Sequence, residues 1–448
     1  MTPKNDLKFL KIPLHKILIG FTIAYFIIFG LLMVHISGQP DQGSHFYLSQ
    51  KFSQTWGIPE EEPGNAFIMT GQPYLYYWIN GAVNKIYKII FPAGQIRPAL
   101  IWRILSVFYA AWTVFYTYKL ASVITGNPYA GILSAFFLSN TLMFVFVSGG
   151  ISYDNLMNLA AAAAIYHLVR IYHKEDFVKH TALTGIWVII GSLAKDQYLL
   201  LTLIIFIAWI YFSIRNLRKT HLDFNKKNII LILIFVLFLA LFINLYGRNL
   251  LVYNRITPSC SQIKKSEVCR TYDYRYDYYE PLNFRRLLFI RDDLPNPFNY
   301  AVTFWIPKML ESIWGILSHV TFVPRLSVSL HGILILWSYI SFFYFAKNKN
   351  ASSILLSIIL LTYCSYVFFW NYKNDLEFSF QHFVITGRYL LPILSMLFSL
   401  MVYSVTKIHP LLIRQITIAF SIIIYYFGGL GMFISRYAEV FSHWRLYF

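Results

Sequence analysis

Apolar residues fall in blocks of about 20, separated by short polar segments, along nearly the whole 448-residue chain. About 20 helical residues, rising 1.5 Å each, cross a hydrocarbon core about 30 Å thick. Blocks at 17–36, 99–123, 129–147, 155–171, 228–246, 330–345, 352–370, 390–405 and 412–434 each predict one crossing. The segment 180–214 differs, because Lys195 and Asp196 interrupt it midway and basic residues flank both ends (Lys174 and Lys179; Arg215, Arg218 and Lys219). Basic flanks stay on the inner side, so this segment must cross twice, as two short helices meeting near Lys195. The pattern gives about 11 transmembrane helices.

Two polar stretches, 37–98 and 248–328, fall on the outer side and are too long for turns. Within the first, residues 46–56 and 73–90 alternate as amphipathic helices do. The second of these carries Tyr74, Tyr76, Tyr77 and Trp78 behind Pro73, a residue that favours a helical first turn. Aromatic amphipathic helices settle at headgroup level. Residues 301–318 repeat the pattern. The expected architecture is an all-α integral membrane protein, one polytopic domain over residues 1–448, with amphipathic helices in its first and fourth outside loops.

Composition agrees: 57% of residues are hydrophobic and 13% charged, against about 25% charged in a soluble domain. The formal charge of +18 does not call for nucleic acid. Lys and Arg cluster between spans, where they set orientation, and the remainder can meet membrane-lipid phosphates. The basic flank of the first block (Lys4, Lys8, Lys11, Lys16) resembles a secretory signal. The block is longer than a signal core and lacks a small-x-small cleavage site, so a retained anchor with a cytoplasmic N-terminus is expected. Cys260 and Cys269 share an outside loop and either form a disulfide or remain two thiols.

On this map ionisable residues converge on the outer edge: Asp41 and His45 after the first span, Arg97 and Arg103 at the second, Asp154 at the fourth, Lys195 and Asp196 between the fifth and sixth, and Arg388 before the tenth. Such groups near a bilayer are costly and usually functional. A carboxylate beside cations suits transfer from a phosphate leaving group. The carboxylate takes the acceptor's proton, and Arg or Lys stabilises charge growing on phosphate.

The residues that carry this edge also carry a family resemblance. Pro40-Asp41-Gln42-Gly43-Ser44-His45 resembles the acidic first-loop motif of GT-C membrane glycosyltransferases, which include protein O-mannosyltransferases and aminoarabinose transferases of lipid A. Gly71-Gln72-Pro73-Tyr74-Leu75-Tyr76-Tyr77 is similar to their His-Pro-Pro-Leu-Tyr-Tyr stretch, and Arg103-Ile104-Leu105-Ser106 to their Arg-Leu-x-Ser. Ser152-Tyr153-Asp154-Asn155 and Ala194-Lys195-Asp196 have counterparts too. Ser312-Ile313-Trp314-Gly315 and Gly387-Arg388-Tyr389-Leu390-Leu391-Pro392 are most similar to an uncharacterised bacterial branch. Two departures stand out: the usual second carboxylate is Gln42, and the His of His-Pro-Pro is Gln72. One carboxylate and one His hold a cation poorly, so a divalent metal is weakly supported and no cofactor is expected with certainty.

The resemblance implies a polyprenyl-phosphate sugar donor, a glycan, lipid or protein acceptor, and inversion at the anomeric carbon on the outer face of a bacterial plasma membrane. It implies Asp41 as general base, and Arg103, Lys195 and Arg388 on the donor phosphate. His45, Asp154, Asp196 and Tyr389 would contact substrate. Plainer readings stand beside these. Asp41 suits a turn, Asp154 a helix cap, Lys195 and Asp196 a self-paired couple, and Arg103 and Arg388 headgroup anchors. Glu60-Glu61-Glu62 reads as a solvated loop, and the tyrosine-rich segment 271–279 as packing or a glycan platform. A lipid-linked glycan flippase would instead show a midplane site and an internal repeat. A glycan polymerase or ligase would differ in using a diphosphate-linked donor.

Overall fold

In the computed structural model, the described residues are 8–9, 12–34, 41–92, 96–217, 225–270, 296–316, 323–345, 350–378, 382 and 385–445. The tyrosine-rich segment 271–279 lies outside them. Apart from a two-residue antiparallel pairing of Lys8–Phe9 with Ile12–Pro13, the described chain is helical. Nine of its helices are long and apolar enough to cross a membrane. They include α1 (Leu14–Met33), α4 (Pro98–Thr125), α8 (Phe177–Ala194) and α10 (Lys226–Phe242, continuing to Tyr253). The protein is an integral multi-pass membrane protein.

Two expected crossings take unexpected forms. The block at 129–147 is not one helix but two, α5 (Pro128–Ser139) and α6 (Leu142–Ser148), bent by 72°. The Asn140 side chain sits at the bend and donates to the Tyr25 hydroxyl (2.6 Å) and the Phe136 carbonyl (2.9 Å). It thereby meets backbone demand that a straight helix would meet itself. The block at 155–171 is α7 (Asp154–Tyr172), 19 residues long and buried over nearly all its length. Alanines 160–164 have no exposed surface. Small side chains let neighbouring backbones approach closely, and α4 and α8 pack along α7 on either side. A polar first turn is tolerated there because α7 is walled by protein rather than lipid. By contrast α10 turns Ile230, Leu233, Val236 and Leu237 outward, as a lipid-facing helix should.

The doubled crossing at 180–214 is present. The helix α8 ends at Ala194, a short 3-10 turn follows over Asp196–Tyr198, and α9 runs Leu199–Leu217. At 18 and 19 residues, both are longer than the sequence suggested, because α8 begins before residue 180 and α9 runs on past residue 214. Lys195 occupies the break in extended conformation (φ −155°, ψ 133°).

The polar stretch after α1 folds into α2 (Gln42–Phe52) and α3 (Leu75–Ile90), joined by a structured loop. The triple-glutamate segment in that loop is a clasp rather than a solvated run. Glu61 accepts from the Met69 and Thr70 backbone N–H groups (2.8 and 2.6 Å) and lies 2.9 Å from the Lys264 ammonium. Lys264 also donates to the carbonyls of Glu62, Asn65 and Phe67. Burial alone would raise the Glu61 carboxyl, but the Thr70 N–H, Lys264 and the Met69 N–H hold it below its usual range. Gln72, at the position of the expected histidine, donates to the Pro258 carbonyl (3.1 Å), and Asn249 donates to that of Gly71 (2.8 Å). Gly71 has φ +78°, a conformation open to glycine at little steric cost. Cys260 and Cys269 are joined in a disulfide. The first outside loop is thus tied to the 258–270 segment.

Candidate active site

Asp41 precedes the first turn of α2 in left-handed conformation (φ 61°). A non-glycine residue held there stores a little strain, which tends to collect at functional sites. Arg388 arrives on a different element, the 3-10 turn Gly387–Leu390 that leads into the helix Leu391–Thr406. That turn is anchored by a hydrogen bond from the Gly387 N–H to Ser312 Oγ (2.6 Å). A side chain at Gly387 would lie 2.4 Å from Ile313 Cγ1, so glycine is required by close approach. Two motifs singled out in the sequence, at 312–315 and 387–392, therefore pack on each other. Arg388 Nη2 then reaches Asp41 Oδ2 at 2.8 Å. The two side chains are 22% and 48% exposed, so the pair borders solvent. Arg388 Nε is buried and has no acceptor among the described residues.

Behind this pair lies a second. Lys195 Nζ donates to Asp154 Oδ1 at 2.7 Å, with both side chains at most 2% exposed. Lys195 thus pairs across 41 residues of sequence and not with its neighbour Asp196. Asp154 is not a helix cap either, since its carboxylate is directed to Lys195. Aromatic rings join the two pairs. Lys195 Nζ sits 4.6 Å from the Tyr153 ring centre and 5.3 Å from that of Tyr389, and the Arg388 guanidinium lies 5.8 Å from Tyr389. Cations over aromatic faces gain about 0.5–2 kcal/mol.

His45 packs edge-on against Tyr153 (4.5 Å between ring centres), and its Nδ1 is 2.9 Å from the Tyr77 hydroxyl. Burial pushes His45 down to about 4, although Asp154 and Asp41 pull the other way. The ring is therefore neutral at neutral pH and serves as a hydrogen-bonding group, not a cation.

Six of the expected residues (Asp41, His45, Asp154, Lys195, Arg388, Tyr389) are brought together. Asp196 is adjacent and half-buried, with Oδ1 accepting the Gln197 N–H (2.8 Å). Arg103 is not in the cluster. Its Nε donates to the Gly149 carbonyl and its Nη2 to those of Leu31 and Val34. It closes the carbonyl ends of α1 and α6 and has those donors engaged, so the structure does not offer it to a donor phosphate. Arg97 is exposed at the start of α4. Tyr153 is the member the sequence did not single out by itself, though it lies within the Ser152–Asn155 motif. Among the described residues no three His, Cys, Asp or Glu side chains gather as a metal site requires.

Two cavities flank the Asp196–Gln197 turn. One, of about 770 Å³, lies between α2, the 66–74 loop and the disulfide segment, with Tyr153 and Lys195 in its wall. The other, of about 330 Å³, is bordered by Tyr363, Trp370 and Tyr389.

The arrangement of helices is similar to that of solved GT-C membrane enzymes. ArnT of Cupriavidus metallidurans, solved with undecaprenyl phosphate bound, is similar over 88% of this chain and 60% of its own, at 12% identity and a TM-score of 0.50. The Archaeoglobus fulgidus oligosaccharyltransferase in its apo form is similar over 94% of this chain and 55% of its own, at 13% identity and a TM-score of 0.51. At such identities the likeness is one of fold, and the chain spans little more than half the length of these neighbours. No protein-family model and no curated protein sequence matches the chain.

Proposed function

We propose that this protein is a membrane glycosyltransferase that moves a sugar from a polyprenyl-phosphate donor to an acceptor hydroxyl on the outer face, with inversion. The observation that carries the proposal is the Arg388 guanidinium, which holds one carboxylate at 2.8 Å while its buried Nε has no acceptor among the described residues. A buried N–H without a partner costs about 1–3 kcal/mol. A phosphate oxygen would supply the missing acceptor, and guanidinium matches phosphate geometry.

In the reaction, donor phosphate takes Arg388 and releases Asp41. The Asp41 carboxylate accepts the proton of the acceptor hydroxyl. That oxygen bonds to the anomeric carbon from the face opposite the phosphate, and the bond from that carbon to the phosphate oxygen breaks. The electron pair leaves with the polyprenyl phosphate, whose charge Arg388 stabilises. Lys195 is already neutralised by Asp154, so its part is to hold Tyr153 and Tyr389 in place. His45, Asp196 and Tyr389 line the approach to substrate. The basic N-terminal flank supports placing the site on the outer side. The charged cluster sits at helix ends rather than mid-helix, which favours an enzyme over a flippase.

The test uses purified protein in lipid nanodiscs with radiolabelled polyprenyl-phosphate sugars, following donor binding and turnover separately. Asp41→Asn should keep donor binding and lose about 10²–10⁴-fold in turnover, the contribution of a positioned base. Arg388→Ala should lose donor binding. Normal turnover by Asp41→Asn, or failure of wild type to bind any such donor, refutes the proposal.

A further inference from the structure

The cavity of about 770 Å³ beside the cluster has a lining whose chemistry is selective. Its size falls within the roughly 300–1,000 Å³ of small-ligand sites, more than one sugar needs and far less than a folded partner. Its apolar lining mixes the aromatic residues Phe52, Tyr74, Tyr77 and Tyr153 with aliphatic ones such as Leu48 and Met69. Its polar surface is mostly uncharged, with Gln72, Gln197, Ser261 and Ser266. Among the described residues the Gln197 side-chain oxygen, in the turn between the two cavities, has no hydrogen-bond partner, so a hydroxyl donor that reached it would satisfy it.

Charge is the second consideration. The one cation in the lining, Lys195, is bound to Asp154 at 2.7 Å. Lys264, close behind the wall, is held by Glu61 and three carbonyls. Asp196 adds a negative charge at the rim. Among the described lining residues no cation is left unpaired, so a phosphorylated headgroup entering here would be desolvated without one to meet it, at a cost of several kcal/mol. Flat rings for the C–H faces of a pyranose, with neutral amides and hydroxyls for its OH groups, are what an uncharged sugar needs. The clasp and the Cys260–Cys269 disulfide fix one wall, which limits the ordering cost on binding.

We infer that this cavity is the acceptor site of the proposed transferase and that the acceptor is the uncharged end of a glycan chain, not an anionic lipid headgroup. The inference rests on the transferase reading for the word acceptor, but binding can be read without turnover.

The experiment is hydrogen–deuterium exchange on the full chain in nanodiscs, with maltotriose, cellotriose and chitotriose as probes and a phosphorylated lipid A headgroup as the contrasting ligand. The expected result is protection of residues 66–74 and 258–270 by at least one neutral trisaccharide and none by the phosphorylated headgroup. Gln197→Leu should weaken the trisaccharide about five- to tenfold, the worth of a hydrogen bond to a buried acceptor. Ser261→Arg, on the exposed side of the lining, should abolish protection. Polyprenyl-phosphate donor binding, measured in parallel, should stay unchanged in both. If the donor binds and none of the neutral sugars protects these segments, or the phosphorylated headgroup protects them, the glycan assignment is overturned while the transferase reading stands. Failure of wild type to bind donor sinks the transferase reading instead.

Discussion

The buried pair Asp154–Lys195 permits a quantitative prediction. Two unit charges 2.7 Å apart attract by about 6 kcal/mol at an effective dielectric of 20, and desolvation of both offsets much of this. Removing one partner is another matter, because it strands the other charge with no solvent to meet it. Lys195→Met should therefore cost about 3–5 kcal/mol, on the order of 10 °C in apparent melting temperature. Asp154→Leu should behave alike. The double variant should recover most of the loss, since matched apolar replacements of a buried pair are often neutral, while donor turnover stays low because Tyr153 and Tyr389 have lost the charge between them. Unfolding in nanodiscs can be followed with a thiol dye on Cys364, which is partly buried and the one free cysteine. If Lys195→Met melts within about 1 °C of wild type, or if the two single losses simply add in the double variant, the pair is not coupled as described.

Other consequences are as direct. Gly387→Ala should lower donor affinity at least tenfold with the fold retained, since a methyl 2.4 Å from Ile313 Cγ1 must shift the Arg388 turn; a normal donor titration would refute this. His45 lies near 4 when folded and near 6.5 when unfolded, so the unfolded chain binds the extra proton between those values. His45 stability is then whole above pH 6.5 and lost as pH falls toward 4, by at most about 3 kcal/mol. Wild type minus His45→Gln, melted across that range, should show the slope. Glu61, held below its ordinary value of 4.5, should stabilise the clasp at neutral pH and cease to do so in acid. Lys264→Met should open the 66–74 loop to hydrogen exchange at pH 7, and unaltered exchange there would argue against the clasp.

The crossings could be read from the sequence because contact with lipid is a local property of each segment. The break at Lys195 was legible for the same reason, as basic flanks on both sides force an even number of crossings. The bend at Asn140–Thr141 was not, since apolar residues continue through it and only the contact with Tyr25 reveals it. Within the site, the membership of Asp41, His45, Asp154, Lys195 and Arg388 followed from motifs and from their common edge. Who pairs with whom did not: Asp41 meets Arg388 across 347 residues, and no periodicity carries that information. Arg103 was misread because an arginine near a span end looks the same whether it awaits phosphate or closes helix carbonyls. Glu61 looked solvated because its partner Lys264 lies about 200 residues away in the chain.

The burial of α7 bears on how the protein is made. A helix whose first five residues include Asp154, Asn155 and Asn158 is a poor substrate for partitioning into lipid by itself. Its 19 residues are also absent from the nine helices apolar enough to cross alone. The ribosome delivers α7 immediately before α8, with only residues 173–176 between them. The two must leave the translocon as a hairpin, α8 carrying its polar partner into the bilayer. Asp154 and its neighbours are in this sense loaded late, by the next helix, and a chain truncated after α7 should leave that segment unanchored.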